Sequence, residues 1–212
     1  MPTPQPEAYG AAADDAALIV YGVHGRGQSP EFIRGLADRV GDLDRIRWII
    51  PAAPGGTWYP TGFLADPAAN QPALDSSLQT VGEQLATLLD HADVPVVALG
   101  FSQGACLLAE HLLTHRPRVA GIILHTGGYL GPEPRHFAAQ PQFPHTPTAV
   151  LTAREDEWVP LQRTEDTADA LSAAGAQVAL TVYDDPEHHI NDDAVDRMRE
   201  LLTTLSPVPD AG

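Results

Sequence analysis

The feature that most constrains this chain is the string Val96-Val97-Ala98-Leu99-Gly100-Phe101-Ser102-Gln103-Gly104-Ala105. An apolar run stops at Gly-x-Ser-x-Gly, and a helix-like pattern follows. This layout predicts a strand that turns sharply into a helix and lifts a serine hydroxyl clear of a parallel sheet. A serine at such an apex sits in a strained backbone conformation, so the residues two positions either side must be small. Gly100 and Gly104 meet that requirement. The helix that follows aims its N-terminus at the serine, where its dipole favours developing negative charge. Ser102 is therefore a candidate nucleophile; the plainer alternative is a glycine-rich turn carrying a surface serine.

Strand and helix patterns alternate on both sides of this string. Leu18–Val23, Ile46–Ile50, Pro95–Leu99, Val119–Leu124, Thr148–Thr152 and Val178–Tyr183 are short apolar runs rich in β-branched residues. Helix-like periodicity marks Pro30–Val40, Pro72–His91, Gln103–His115, Leu161–Ala174 and Asp193–Leu205. The clearest is Pro72–His91, where Leu74, Leu78, Val81, Leu85 and Leu88 form one apolar face. Near-continuous apolar strands separated by helices predict an α/β fold with a mostly parallel sheet covered on both faces. Its functional loops should lie at the carboxyl ends of the strands. The segment from Leu124 to Thr148 is too short for a large helical cap, so an open site is expected. Met1 to Ala16 and Pro207 to Gly212, rich in Pro, Ala and acidic residues, read as a flexible arm and tail around a domain at 17–206.

Charge excludes several partners. The net charge is −16, all 12 basic residues are arginine, and Asp outnumbers Glu by 18 to 10. Such a surface repels nucleic acid and anionic lipid. It suits either a protein adapted to high salt, where screening relieves self-repulsion, or a GC-rich genome that favours arginine codons. No stretch approaches the ~18–20 apolar residues of a membrane span, and no secretory signal pattern opens the chain. Cys106 is the single cysteine, which suits a reducing cytoplasm.

A serine nucleophile needs a base, and the base needs an acid to fix its tautomer. The loop after Thr152 offers Glu155, Asp156 and Glu157, of which Asp156 is central and short. The loop after Tyr183 offers His188 and His189, which chemistry alone does not separate. An oxyanion hole needs two N–H donors. The Gln103 N–H, directly after the serine, is one candidate. The Arg26 N–H, in His24-Gly25-Arg26-Gly27-Gln28 after the first apolar run, is the other.

At these residues the chain resembles the phospholipase/carboxylesterase family of small α/β-hydrolases, which includes the acyl-protein thioesterases. The resemblance rests on His24-Gly25-Arg26-Gly27, Gly100-Phe101-Ser102-Gln103-Gly104-Ala105, Asp156-Glu157-Trp158-Val159-Pro160 and His188-His189-Ile190. It spans residues 18 to about 205. The family pattern Gly-His-x-Ile, aligned on Ile190, makes His188 the base and puts Glu187 where the family has glycine. The resemblance implies an α/β-hydrolase fold and a Ser102–His188–Asp156 triad. The expected reaction is cleavage of small-molecule carboxylic esters or thioesters of short to medium acyl groups through an acyl-enzyme. No metal, organic cofactor or membrane insertion is expected, and the family includes monomers and homodimers. Ala53 to Pro60 resembles a Trp-Tyr-Pro loop near the substrate entrance of bacterial and archaeal members. That makes Trp58 and Tyr59, together with Trp158, candidate substrate-binding residues; ordinary loop packing is the alternative for Trp58 and Tyr59. Two other functions compete: a non-catalytic small-ligand binder on this fold, and a hydrolase of aromatic ring-cleavage products.

Overall fold

The computed structural model describes residues 5–42, 44–137 and 143–206. The expected tail at 207–212 lies outside them, as do residues 1–4 of the expected arm. The described strands are β1 (Glu7–Gly10), β2 (Leu18–Val23), β3 (Ile46–Ile50), β4 (Val96–Phe101), β5 (Gly121–His125), β6 (Pro147–Ala153) and β7 (Gln177–Tyr183). The helices are α1 (Pro30–Val40), α2 (Ala73–His91), α3 (Gln103–His115), α4 (Leu161–Ala173) and α5 (Asp192–Leu205). One sheet takes the order β1-β3-β2-β4-β5-β6-β7. Every pairing is parallel except β1 on β3.

The strand at Glu7–Gly10 corrects the expectation of a loose arm over residues 1–16. Glu7 pairs with Ile50 and Gly10 with Arg47, antiparallel. Side chains of β1 alternate between half-buried and exposed, so only one face meets the protein. The next residues are tied as well, since Ala11 N–H donates to Ile46 O and Ala17 N–H to Arg45 O.

The central strands β2 to β6 are buried on both faces, as their apolar runs require. On one side α1 and α5 cover Leu18, Val20, Trp48, Ile50, Val97 and Leu99 through Ile33, Leu36, Val195 and Met198. On the other, α2, α3 and α4 cover Tyr21, Val23, Ala98 and Ile122 through Val81, Leu85, Leu108 and Leu171. Polar groups on the buried face of α2 find partners, as buried polar groups must. Gln84 Oε1 accepts from the Tyr21 hydroxyl at 2.8 Å, and Ser77 Oγ donates to Trp58 O at 2.6 Å. Arg199 on α5 donates from Nε to Val40 O and from a terminal nitrogen to Arg39 O, which ties α5 to the last carbonyls of α1.

No helix forms among the described residues between β5 and β6, so no helical cap covers the carboxyl ends of the strands there. That crossing segment is instead strapped down by two arginines. Arg163 on α4, buried, donates to Tyr129 O, Gly131 O and Pro132 O and lies over the Tyr129 ring. Arg135 pairs with Glu110 of α3, whose carboxylate also accepts from Leu130 N–H. Among the described residues no helix is long and apolar enough to cross a membrane.

Candidate active site

The turn from β4 to α3 has the strain expected of it. Ser102 stands at φ 54° and ψ −122°, a region that side chains other than glycine rarely enter. Its N–H donates to His125 O at 2.9 Å, which anchors the apex to the neighbouring strand. The flanking glycines are obligatory for packing. A Cβ on Gly100 would stand 2.7 Å from Ala105 Cα, and one on Gly104 would stand 2.3 Å from Val23 O and 2.5 Å from His24 O. Helix α3 therefore begins directly against the end of β2.

Two later loops bring their side chains to this serine. His188 Nε2 lies 2.7 Å from Ser102 Oγ, and His188 Nδ1 lies 2.6 Å from Asp156 Oδ2. Asp156 is locked from behind, because its Oδ1 accepts the N–H groups of Trp158 at 2.9 Å and Val159 at 2.8 Å. Burial alone would raise the Asp156 carboxyl, but the His188 bond and these two N–H groups outweigh it and hold its pKa below the ordinary value. An ionised carboxylate only accepts, so Nδ1 carries the imidazole proton. Nε2 is then free to accept from the Ser102 hydroxyl. His189 points elsewhere: its Nε2 meets Asp185 Oδ2 at 2.7 Å. Glu187, where the family pattern has glycine, is tolerated because its side chain is exposed and its backbone needs no positive φ.

Arg26 and Gln103, the two expected oxyanion donors, both line the cleft that holds Ser102. The Gln103 N–H, in the first turn of α3, has no intrahelical acceptor. In the loop after β2, Gly25 N–H donates to Gln28 Oε1 and Gly27 N–H to Gly56 O. Arg26, between them, keeps an N–H without a protein acceptor among the described residues. His24 braces this loop from inside. Its Nδ1–H donates to Gly25 O at 2.8 Å and its Nε2 accepts from Ala53 N–H at 3.2 Å. Burial lowers the His24 pKa against the pull of the Gly25 carbonyl, which favours the neutral ring that both bonds require.

A cleft of about 490 Å³ opens over these groups, lined in part by Arg26, Tyr59, Phe63, Ser102, Trp158 and His188. Larger hollows of about 650 and 880 Å³ lie around Arg118 and around His111 and His115. Neither holds the strained serine, so size does not decide the site. His111 and His115 stack with ring centroids 4.7 Å apart. Among the described residues no three ligating side chains gather as a metal site would need.

The three substrate-binding candidates separate. Trp158, 66% exposed, stands free on the cleft wall, and Tyr59, though almost fully buried, lines the cleft. Trp58 does not line it. Its indole N–H donates to His24 O at 2.8 Å and its ring lies 5.1 Å from that of His24, so it packs the loop. The side chain of Gln103 has a role that its position next to Ser102 did not announce. Its Oε1 accepts Trp58 N–H at 3.0 Å and its Nε2 donates to Tyr59 O at 2.8 Å, which staples the 58–60 loop to the serine turn.

The comparisons with known proteins bear on the fold and the family. A phospholipase/carboxylesterase from Dyadobacter fermentans DSM 18053 is 32% identical, with a TM-score of 0.84 over 94% of this chain and 96% of that one. Esterase PE8 shares the fold at 22% identity and a TM-score of 0.77, over 95% of this chain and 98% of its own. A carboxylesterase from Mesorhizobium loti does so at 19% identity and 0.69, over 89% of each. No curated protein matches the sequence. The family model described as Phospholipase/Carboxylesterase matches residues 10–206, from the end of β1 through α5. With a mostly parallel sheet, a serine at the β4–α3 turn and no helical cap among the described residues, this chain belongs to the phospholipase/carboxylesterase family of α/β-hydrolases.

Proposed function

We propose that the protein is a serine hydrolase that cleaves carboxylic esters or thioesters of short to medium acyl groups. One observation carries this: an unbroken relay, Asp156 to His188 to Ser102 at 2.6 and 2.7 Å, on a strained serine. His188 Nε2 takes the Ser102 proton as Oγ attacks the carbonyl carbon. The N–H groups of Arg26 and Gln103 hold the oxyanion, a contribution worth about 10²–10³ in rate per donor. The tetrahedral intermediate collapses, the C–O or C–S bond breaks, and His188 returns the proton to the leaving alcohol or thiol. Water, deprotonated by His188, then releases the acid from Ser102. Asp156 keeps the imidazole in the productive tautomer and stabilises its protonated form. The uncapped cleft suits small substrates, with Tyr59 and Trp158 as apolar walls. The lone Cys106, buried and pushed up to about 12 by that burial, takes no part; its unpaired state fits the cytoplasm.

The test is hydrolysis of p-nitrophenyl esters from acetate to decanoate. Ser102→Ala should abolish turnover with the fold intact. Asp156→Asn should cut kcat by about 10⁴ through the wrong tautomer. His188→Ala should inactivate, while His189→Ala should stay active. Equal activity in wild type and Ser102→Ala would overturn the proposal. Binding without turnover in the wild type would favour the non-catalytic binder.

A further inference from the structure

We infer that the guanidinium of Arg26 is an anion subsite and that the preferred substrate is an ester or thioester carrying a carboxylate a few bonds from its reacting carbonyl. This rests on the hydrolase function proposed above and adds the substrate class. Arg26 is exposed, lines the cleft with Ser102 and His188, and reaches across to the 60–61 backbone. It donates to Pro60 O at 2.8 Å and to Thr61 O, and its guanidinium lies 5.9 Å from the Tyr59 ring centroid. These contacts fix the side chain without neutralising it. A guanidinium has five N–H donors, and two carbonyls leave most of them open.

Several other arginines on this acidic protein meet carboxylates, as Arg34 meets Glu7 at 3.0 Å and Arg154 meets Asp184 at 2.8 Å. Among the described residues Arg26 has no such partner, and no acidic residue lines the cleft. The nearby Asp156 carboxylate is fully covered and bound to His188 and two N–H groups. A chain of net charge −16 that admits a substrate past an uncompensated arginine has a cation where an anion would otherwise be repelled. The planar fork matches a carboxylate in two parallel bonds, which an ammonium could not do.

The placement also sets a distance. In the proposed mechanism the main-chain N–H of Arg26 holds the oxyanion, while its side chain lies along the cleft wall against residues 60–61. One residue therefore spans the gap between the reacting carbonyl and the distal carboxylate. A substrate with the acid too near or too far would lose one of the two contacts.

The experiment compares monoethyl glutarate with ethyl valerate and with the ethyl ester of glutaric acid monoamide, by pH-stat. Proteins are the wild type, Arg26→Gln and Arg26→Lys. The wild type should favour the half-ester in kcat/KM by about tenfold over both neutral esters, the size of one partly exposed charge-assisted contact. Arg26→Gln should bring the ratio to about one, and Arg26→Lys should keep part of it. Loss of the clamp on residues 60–61 would slow all three esters alike and leave the ratio unchanged. No half-ester preference in the wild type, or an equal preference in Arg26→Gln, overturns the inference while the hydrolase proposal stands. If no ester is turned over, the hydrolase proposal falls. Calorimetry on Ser102→Ala then decides the anion subsite alone: half-ester binding about tenfold tighter than ethyl valerate, lost with Arg26→Gln, sustains the subsite, and equal affinities overturn it.

Discussion

Gly104→Ala adds one methyl group where a Cβ would meet main-chain atoms closer than at any other described glycine. Its Cβ would stand 2.3 Å from Val23 O and 2.5 Å from His24 O, about 1 Å inside ordinary contact. Both obstacles are main-chain carbonyls, so no side chain can swing aside. Overpacking of this kind costs about 1–3 kcal/mol, and the rigid obstacles put this case at the upper end. Alanine's better helix propensity returns up to about 1 kcal/mol. The net loss of about 2 kcal/mol corresponds to a drop of roughly 4–8 °C in Tm for a chain of this size. The displaced carbonyls begin the loop that holds Arg26, so the proposed oxyanion donor moves with them. The expected signature is a fall in kcat of about 10²–10³ with KM little changed. Gly35→Ala is the control: it lies exposed in α1 with nothing within 4 Å of the added Cβ, and should raise stability by up to about 1 kcal/mol. Thermal melts and ester kinetics on the two variants complete the comparison. A Gly104→Ala protein as stable and active as the wild type would refute the packing argument. Lost stability with kcat intact would refute the link from packing to the oxyanion loop.

Acid should destabilise the fold in a defined window. Burial pushes His125 down to about 3 and His111 to about 4, against 6.5 when unfolded. The unfolded chain thus binds more protons between those limits, and the stability from these neutral rings is complete above pH 6.5 and lost as pH falls towards 3. Urea titrations at pH 7, 5 and 4 should show the decline, and His125→Asn should flatten it; unchanged stability would contradict the assignment. Arg163→Met should cost about 3 kcal/mol by stripping Tyr129 O, Gly131 O and Pro132 O of their donor, and should open residues 129–137 to protease; an unchanged melt would show that the strap is dispensable. If the acidic, lysine-free surface reflects life in high salt, Tm should rise steadily in molar KCl, and a salt-indifferent Tm would leave codon bias as the explanation.

The central strands and all five helices could be read from the sequence because each carries its own signal: an apolar run such as Leu18–Val23, or a face such as Leu74, Val81 and Leu85. Glu7–Gly10 carries none. It is short, one-faced, and acquires its conformation from β3 some forty residues on. The same division runs through the site. Ser102, Asp156 and His188 stand in local patterns whose geometry is set by the adjoining strand ends. The staple from Gln103 to residues 58–59 is invisible in sequence, because it depends on where a long loop crosses the turn. The sequence leaves Trp58 open between substrate contact and loop packing for the same reason: its partner, the His24 carbonyl, is thirty-four residues away. Arg163 could not be recognised as a strap, since nothing in its neighbourhood marks it as buried.

The antiparallel strand β1 also bears on how copies of this protein keep apart. It occupies the outer edge of Ile46-Arg47-Trp48-Ile49-Ile50, an apolar strand whose backbone would otherwise offer a row of unpaired N–H and C=O groups to any neighbouring chain. In its place β1 presents a rim of four residues, with Glu7 held by Arg34. A chain trimmed of its first ten residues would keep every residue of the proposed triad and yet bare a ready template for sheet-to-sheet aggregation. The N-terminal segment thus serves as a hem, and its loss should show first in solubility on storage, ahead of any loss in turnover.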